Sequence, residues 1–413
     1  TIVGSPGLVL ITWLVAGLLA GAAALCFAEL SAAIPRTGGT YVFLKRAYRS
    51  EIVAFSFGWM MCFAYGTGAI AVVAIMAATF LIPVLEAVGI PAAGRLGPIA
   101  VALIAVLTLL NVQGIREGGI TQNVITFLKL LLIAALMSVP LFLGEPRLGR
   151  FTEVSNAASP GSMAAAVGTA LMICLFSYNG AYFVTHVAGE IREPRKNIPK
   201  AILGGFLIVL CVYLSINVLY LTVMPFPDIE ASERIAADLM GRLLGPAGAI
   251  LTSAVVFVSA IGVLNAQLLN YPRIQFALAS DGLFFRRIAV VSEKTKTPAA
   301  AILLVGFFSS LFALTGSYVL ILSYVAFVIH FFICLSVIAV IILRIREPEL
   351  ERPYRVWGYP LTPAAFLLVS IFYLGNLLVT QPFNVAVGIA IVLSGLPFYV
   401  YWRKIREARG SNV

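Results

Sequence analysis

Residues 176–181, FSYNGA, interrupt an apolar run that extends from Ala164 to Ala188. Ser177, Tyr178, Asn179 and Gly180 follow one another there, and each is a poor choice for a lipid-facing helix. At helical rise the run covers roughly 36 Å, which puts Tyr178–Ala181 near the middle of a bilayer. Backbone that leaves the helix at that depth survives only where protein buries it or where it lines a watery cavity. The segment itself allows two readings. Phe176, Ser177, Tyr178, Asn179, Gly180 and Ala181 form a break whose free N–H and C=O groups meet a solute; or Gly180 kinks a continuous helix while Asn179 bonds a neighbour.

Lys129, in QNVITFLKLLLIAALM, is the second chemical feature. It stands roughly 12 Å inside its apolar run. A charge at the centre of a span costs roughly 2.5–3.5 kcal/mol on insertion scales, and such groups usually face a polar interior. The alternative is an ammonium that snorkels to the nearer interface along its own stem.

Glu29 and Glu190 end apolar runs beside basic loops. They read as solvated or paired carboxylates, with a gating or proton-carrying role as the alternative. His186 and His330, the two histidines, fall within apolar runs and read as packed, hydrogen-bonded imidazoles rather than proton carriers. Cys26, Cys62, Cys174, Cys211 and Cys334 all lie in apolar segments without metal-ligand spacing, which suits reduced packing residues. No Gly-rich phosphate loop, catalytic triad or metal cluster is visible in the sequence. The expectation is a protein that does no covalent chemistry and needs no cofactor.

The elements that must position these groups follow from composition. Of 413 residues, 61% are hydrophobic and 11% charged, against about 25% charged in a soluble chain. The chain is therefore read as an all-α polytopic membrane protein, a span needing roughly 20 mostly apolar residues. Eleven spans are predicted, at about 8–33, 51–83, 98–113, 121–143, 163–189, 200–224, 245–276, 299–315, 318–343, 361–380 and 383–402. Pro and Gly clusters such as IPRTGG, GEPRLGR and EPELERPYRVWGYP punctuate them.

The basic residues test this arrangement. Of the 28 Lys and Arg, twenty-two fall in loops on one side. Arg95, Arg147, Arg150, Arg234 and Arg242 fall on the other, and Lys129 remains inside a span. Such asymmetry makes the first side cytoplasmic, with the C-terminus there too. It also explains the net charge of +10 without nucleic acid. The chain opens without Met in what reads as a loop, Thr1–Gly7. One further span upstream, twelve in all, is the expectation for a longer parent.

SYNGAYFVTHVAGEIREPRKNIPKAI resembles the sixth helix and following loop of the amino acid–polyamine–organocation (APC) transporters, closest to bacterial L-type amino acid transporter-like permeases. GSPGLVLITWLVAGLLAGAAALCFAELSAAIPRTGGTYVFLKRAY is similar to the second helix and first inner loop of that family. LNAQLLNYPRIQFALASDGLFFRRIAVVSEKTKTPAAAI is similar to its eighth helix and inner hairpin, and RPYRVWGYPLTP to the loop before its last two helices. The matches run in order along the whole chain.

The resemblance implies a LeuT-like five-plus-five inverted repeat plus two C-terminal helices. Residues 1–143 would be a first repeat lacking its first helix, 163–343 a second repeat with a discontinuous helix at 163–189, and 344–413 the last two helices and tail. It further implies that Phe176–Ala181 receive a substrate amino group. Lys129 would stand where sodium-dependent relatives bind sodium, with Ser259 a weaker neighbour, which argues for a sodium-independent permease working by proton coupling or exchange. Many relatives carry Trp after the glycine matching Gly180; here Ala181 and Tyr182 follow, so the pocket should be reshaped. The outer loop 84–97 has no cysteine, so no disulfide-linked accessory subunit is expected. The expected substrate is an amino acid or amine, and the bilayer is the other partner. A polyamine or cationic amine exchanger on the same fold is the rival reading; it would favour pocket carboxylates, and none is placed at midplane depth. A non-transporting receptor or subunit, the rival from another class, would need no midplane break.

Overall fold

Backbone groups in hydrocarbon must find partners within their own segment, which leaves helices as the solution for runs this apolar. In the computed structural model every regular element among the described residues is helical. The structure describes residues 3–152, 160–178, 180–232, 234–315 and 318–410.

Helix α1 (Pro6–Ala33) leads through a turn at Gly38 and Gly39 into the short amphipathic α2 (Thr40–Tyr48). The run predicted as one span over 51–83 is two helices, α3 (Glu51–Phe63) and α4 (Tyr65–Ala87). Ala64 between them has φ −143 and ψ −75. No proline causes this break. A side chain at Gly66 would put its Cβ 2.4 Å from the Met61 carbonyl oxygen, so the tight turn requires glycine there.

Helices α5 (Leu96–Gln113) and α6 (Ile115–Leu143) follow, then α7 (Pro160–Ser177) and a 3₁₀ segment, Phe183–Glu190. After α8 (Pro194–Val223) and the short α9 (Phe226–Ala231) comes α10 (Ile235–Asn270), whose interior is broken at Gly245 before Pro246. The remainder is α11 (Pro272–Ser280), α12 (Ala299–Thr315), α13 (Tyr318–Arg346), α14 (Leu361–Thr380), α15 (Pro382–Leu393) and α16 (Leu396–Gly410).

Among the described residues nine helices are long and apolar enough to cross a membrane. Two shorter apolar helices, Ala166–Leu175 and Ala299–Thr315, make up the eleven expected segments. The first lies within α7, Pro160–Ser177. The fold is an all-α polytopic membrane protein.

Helix α1 packs along α8, α4 along α10, α6 along α10, and α5 along α12. The main buried cluster joins Phe27, Phe43, Phe55 and Met60 to Leu264, Tyr271 and Val337. A polar chain crosses the packing where hydrocarbon would penalise any orphaned amide. The Asn111 side-chain amide on α5 donates to Oδ1 of Asn265 at 2.8 Å, and the Asn265 amide on α10 donates to Oε1 of Gln122 on α6 at 3.0 Å. All five cysteines are free thiols; Cys211 is exposed and the other four are buried.

Candidate functional site

The α-helical ladder stops at Ser177. The Tyr178 N–H is shared between the Cys174 and Leu175 carbonyls at 3.3 and 3.2 Å, and the chain turns through Gly180 at φ 123. That value lies in the left-handed region, where a side chain is strained. The Phe183 N–H then bonds the Gly180 carbonyl at 2.9 Å and the chain resumes as 3₁₀ helix. The sequence left a kink and a break open, and the backbone is broken. Asn179 and the side chain of Phe176 lie outside the described residues.

Aromatic side chains hold this turn. Tyr213 on α8 donates its hydroxyl to the Ser177 carbonyl at 3.1 Å, satisfying an acceptor that the helix end leaves free. The Tyr178 hydroxyl donates to the Trp13 carbonyl at 3.3 Å, and its ring meets Trp13 and Tyr213 edge-on at 5.9 and 5.1 Å. Ser177 turns its hydroxyl back onto the Ile173 carbonyl at 3.1 Å. Tyr182 stacks on Phe27 of α1 with centroids 4.3 Å apart.

A cavity of about 60 Å³ opens against the turn, between α1, α13 and α14. Tyr178, Ala181 and Tyr182 form its wall on the turn, and His330 and Tyr373 face it from α13 and α14. No carboxylate lines it among the described residues. His330 is hydrogen-bonded, as expected, with Nε2 3.0 Å from the Ser370 hydroxyl. His186 differs: it is buried, yet neither ring nitrogen has a hydrogen-bond partner among the described residues. Its ring is instead packed flat on Phe183 at 5.8 Å, and its backbone carbonyl accepts from Gly38.

Lys129 and Ser259 stand on α6 and α10, two helices that pack together. A Cβ at Gly262 on α10 would lie 2.6 Å from Ile125 and 4.0 Å from the Lys129 Cδ, so the Lys129 stem crosses α10 at that glycine. Ser259 stands one turn earlier on α10. Both side chains are half-buried, and Lys129 has no ion pair among the described residues. Gln122 and Thr126 share the α6 face with Lys129, seven and three residues before it, and hydrogen-bond each other at 3.3 Å. No hydrogen bond or ring contact joins Lys129 to the turn at Gly180 among the described residues.

The end-of-span carboxylates are paired. Glu29 is buried against Arg344 and Arg352, and Glu190 receives Arg273, whose side chain is 1% exposed, at 3.0 and 3.3 Å. The second pair fastens the far end of the 3₁₀ segment to α11. Sequence reasoning missed Trp13, Tyr213 and Tyr373 around the turn, and read His330 as a packed imidazole without placing it there. The only signal was a run of aromatics on neighbouring spans, and their convergence needs the helix packing.

This arrangement offers backbone ends, hydroxyls and an apolar-walled hole, which suits reversible binding rather than bond chemistry. Sequence comparisons bear on what is bound. Residues 1–400 match the protein family described as "Amino acid permease". The chain is 31% identical over 408 residues to the serine/threonine exchanger SteT of Bacillus subtilis (strain 168), covering 98% of this chain and 90% of that protein. It is 28% identical to the b(0,+)-type amino acid transporter 1 of Mus musculus, covering 97% and 82%. It is 29% identical to the mouse large neutral amino acids transporter small subunit 2, covering 97% and 76%.

Proposed function

The chain belongs to the amino acid permease family, and on that premise we propose that its substrate binds at the break between α7 and the 3₁₀ segment. The protein is a secondary active transporter of amino acids, spanning the membrane many times. The observation that carries the site is one turn: the helix stops at Ser177, Gly180 takes φ 123, and a cavity opens against Tyr178, Ala181 and Tyr182. Half-helix ends at mid-membrane present free donors and acceptors to a solute without the cost of a buried charge.

In this reading the backbone of 176–181 holds the substrate's amino group, and Ala181 admits its side chain towards His330 and Tyr373. A neutral amino acid fits best, because a cationic side chain would call for a carboxylate and none lines the cavity among the described residues. Lys129, with Ser259 beside it, supplies a fixed positive charge in the α6–α10 interface, so transport needs no sodium. Exchange is the favoured mode, since a relative covering nearly the whole chain is named as an exchanger. Alternating access would rock residues 1–143 against 163–343 as inverted repeats, with 344–413 appended. The face that gathers the basic loops is cytoplasmic and includes the C-terminal tail, and the protein works in the cell membrane without a disulfide-linked subunit.

The deciding experiment is uptake of a labelled amino-acid panel into liposomes holding the purified full-length protein. Vesicles should be preloaded or empty, with and without a pH gradient. Entry of neutral amino acids that requires internal amino acid would support exchange. Absence of uptake for every amino acid and amine in both formats would defeat the proposal.

A further inference from the structure

We propose that the cleft between the end of α11 and α16 holds the headgroup of an anionic phospholipid. It is an open concavity of about 900 Å³ on the face that gathers the basic loops. Arg286, Arg287 and Arg406 line it, and among the described residues no carboxylate does. Arg286 and Arg287 are exposed and have no ion pair among the described residues. Arg406 is held in place: it pairs with Glu51 at 3.0 and 2.6 Å and donates to the Asp281 carbonyl at 3.1 Å. One guanidinium is thus fixed in advance while two remain free to close on a phosphate.

The rest of the cleft distinguishes a lipid from a soluble anion. Trp402 forms its floor, with ring centroids 5.1 Å from Phe284 and 5.3 Å from Phe285. Phe285, Val290 and Tyr401 are 58%, 61% and 59% exposed on its rim. The residues of α16 change from apolar to charged after Trp402, at Arg403 and Lys404, which sets the cleft at the level where that helix leaves hydrocarbon. An inorganic phosphate would use the arginines and leave the apolar rim idle. A phospholipid uses both, its phosphate on the guanidinium groups and its upper acyl chain on the rim. Orientation alone requires basic residues in loops; it does not require three arginines to converge beside exposed rings.

The test is native mass spectrometry of the detergent-solubilised protein offered equal phosphatidylglycerol and phosphatidylcholine. The parent should retain phosphatidylglycerol roughly tenfold or more over phosphatidylcholine, on the order expected for two or more basic side chains at a membrane surface. R286Q/R287Q should lose that preference. R403Q/K404Q, which removes the same charge from α16 elsewhere, should keep it. Equal retention of the two lipids by the parent overturns the proposal, as does equal loss in both double variants. Displacement of the lipid by millimolar inorganic phosphate, or undiminished retention in F285S/V290S, would assign a soluble-anion site and overturn it too. Should R286Q/R287Q not fold, quenching decides: phosphatidylglycerol with brominated chains should quench the parent's tryptophan fluorescence more than its phosphatidylcholine counterpart. That difference should vanish in W402F, and its persistence there overturns the proposal.

Discussion

Glu29 and Arg344, 315 positions apart in the sequence, meet as a bidentate pair at 2.8 and 2.6 Å. The Glu29 side chain is 3% exposed and also accepts the Val356 N–H at 2.7 Å, with Arg352 at 3.5 Å. Arg344 in turn lies 3.8 Å over the Tyr359 ring. One carboxylate therefore ties α1 to α13 and to the loop that precedes α14. Removing its charge leaves two mostly buried guanidinium groups without the carboxylate between them. Glu29→Gln should destabilise the protein on the order of 3–5 kcal/mol, the usual cost of breaking a buried pair. Arg195→Gln, whose pair with Glu351 is exposed, should cost within ~1 kcal/mol. Thermal unfolding in detergent compares the two, and equal melting temperatures would show that Glu29 is not a structural tie.

Gly180 is where conformation and transport should separate. Its φ of 123 strains any side chain, and an added Cβ would stand 3.3 Å from the Phe183 ring. The strain costs roughly 1–2 kcal/mol, small for a fold held by eleven apolar segments. Gly180→Ala should therefore fold with a modest fall in melting temperature while transport drops at least tenfold. Transport at the parent's rate in that variant would detach the turn from the substrate path.

The spans were legible because hydrocarbon forces long apolar runs, and the break at 177–181 because four polar or flexible residues interrupt one of them. The kink at Ala64 was not legible. It has no proline, and the close approach of Gly66 to the Met61 carbonyl that goes with it shows only in the folded chain. Pairings such as Glu29 with Arg344, or Asn111 with Asn265, 154 positions apart, leave no period in the sequence. They arise from which helices pack together. The same limit hid Tyr213, which satisfies the Ser177 carbonyl from the next helix.

Tyr41, on the short helix α2 outside the spans, offers a pH test. Its hydroxyl donates to Asp281 at 2.6 Å. Burial, and then the Asp281 charge, raise its pKa well above the usual tyrosine value near 10. The folded state thus keeps a proton that the unfolded chain releases above about pH 10. The associated stability is complete below that pH and is lost as pH rises beyond it. Tyr41→Phe should weaken the protein at neutral pH yet flatten the decline in melting temperature between pH 9 and 11. Parallel declines in parent and variant would refute the linkage.

Ala181 should set the size of accepted side chains. It faces a cavity of about 60 Å³, room for about two waters. Ala181→Val adds two carbon atoms there, and overfilling a packed site typically costs 1–3 kcal/mol. Bulky amino acids should lose affinity by roughly tenfold or more while the smallest are carried as before. Inhibition of labelled uptake by an unlabelled amino-acid panel reads this directly. A uniform loss across all sizes would mean that Ala181 supports the fold rather than selecting substrate.

Lys129 is the remaining charge to place. Its stem crosses α10 at Gly262, and no ion pair neutralises it among the described residues. An unpaired ammonium half-buried in a helix interface is expensive unless something uses it. A snorkelling lysine would serve only to reach water, and Lys129→Gln would then raise stability and leave transport alone. A lysine whose charge organises the α6–α10 interface during the cycle behaves otherwise. In that case Lys129→Gln should fold with an unchanged or higher melting temperature and transport at least tenfold more slowly. Lys129→Arg, which keeps the charge but not the compact ammonium, should recover only part of the rate. Wild-type uptake by Lys129→Gln would assign the residue to the interface alone.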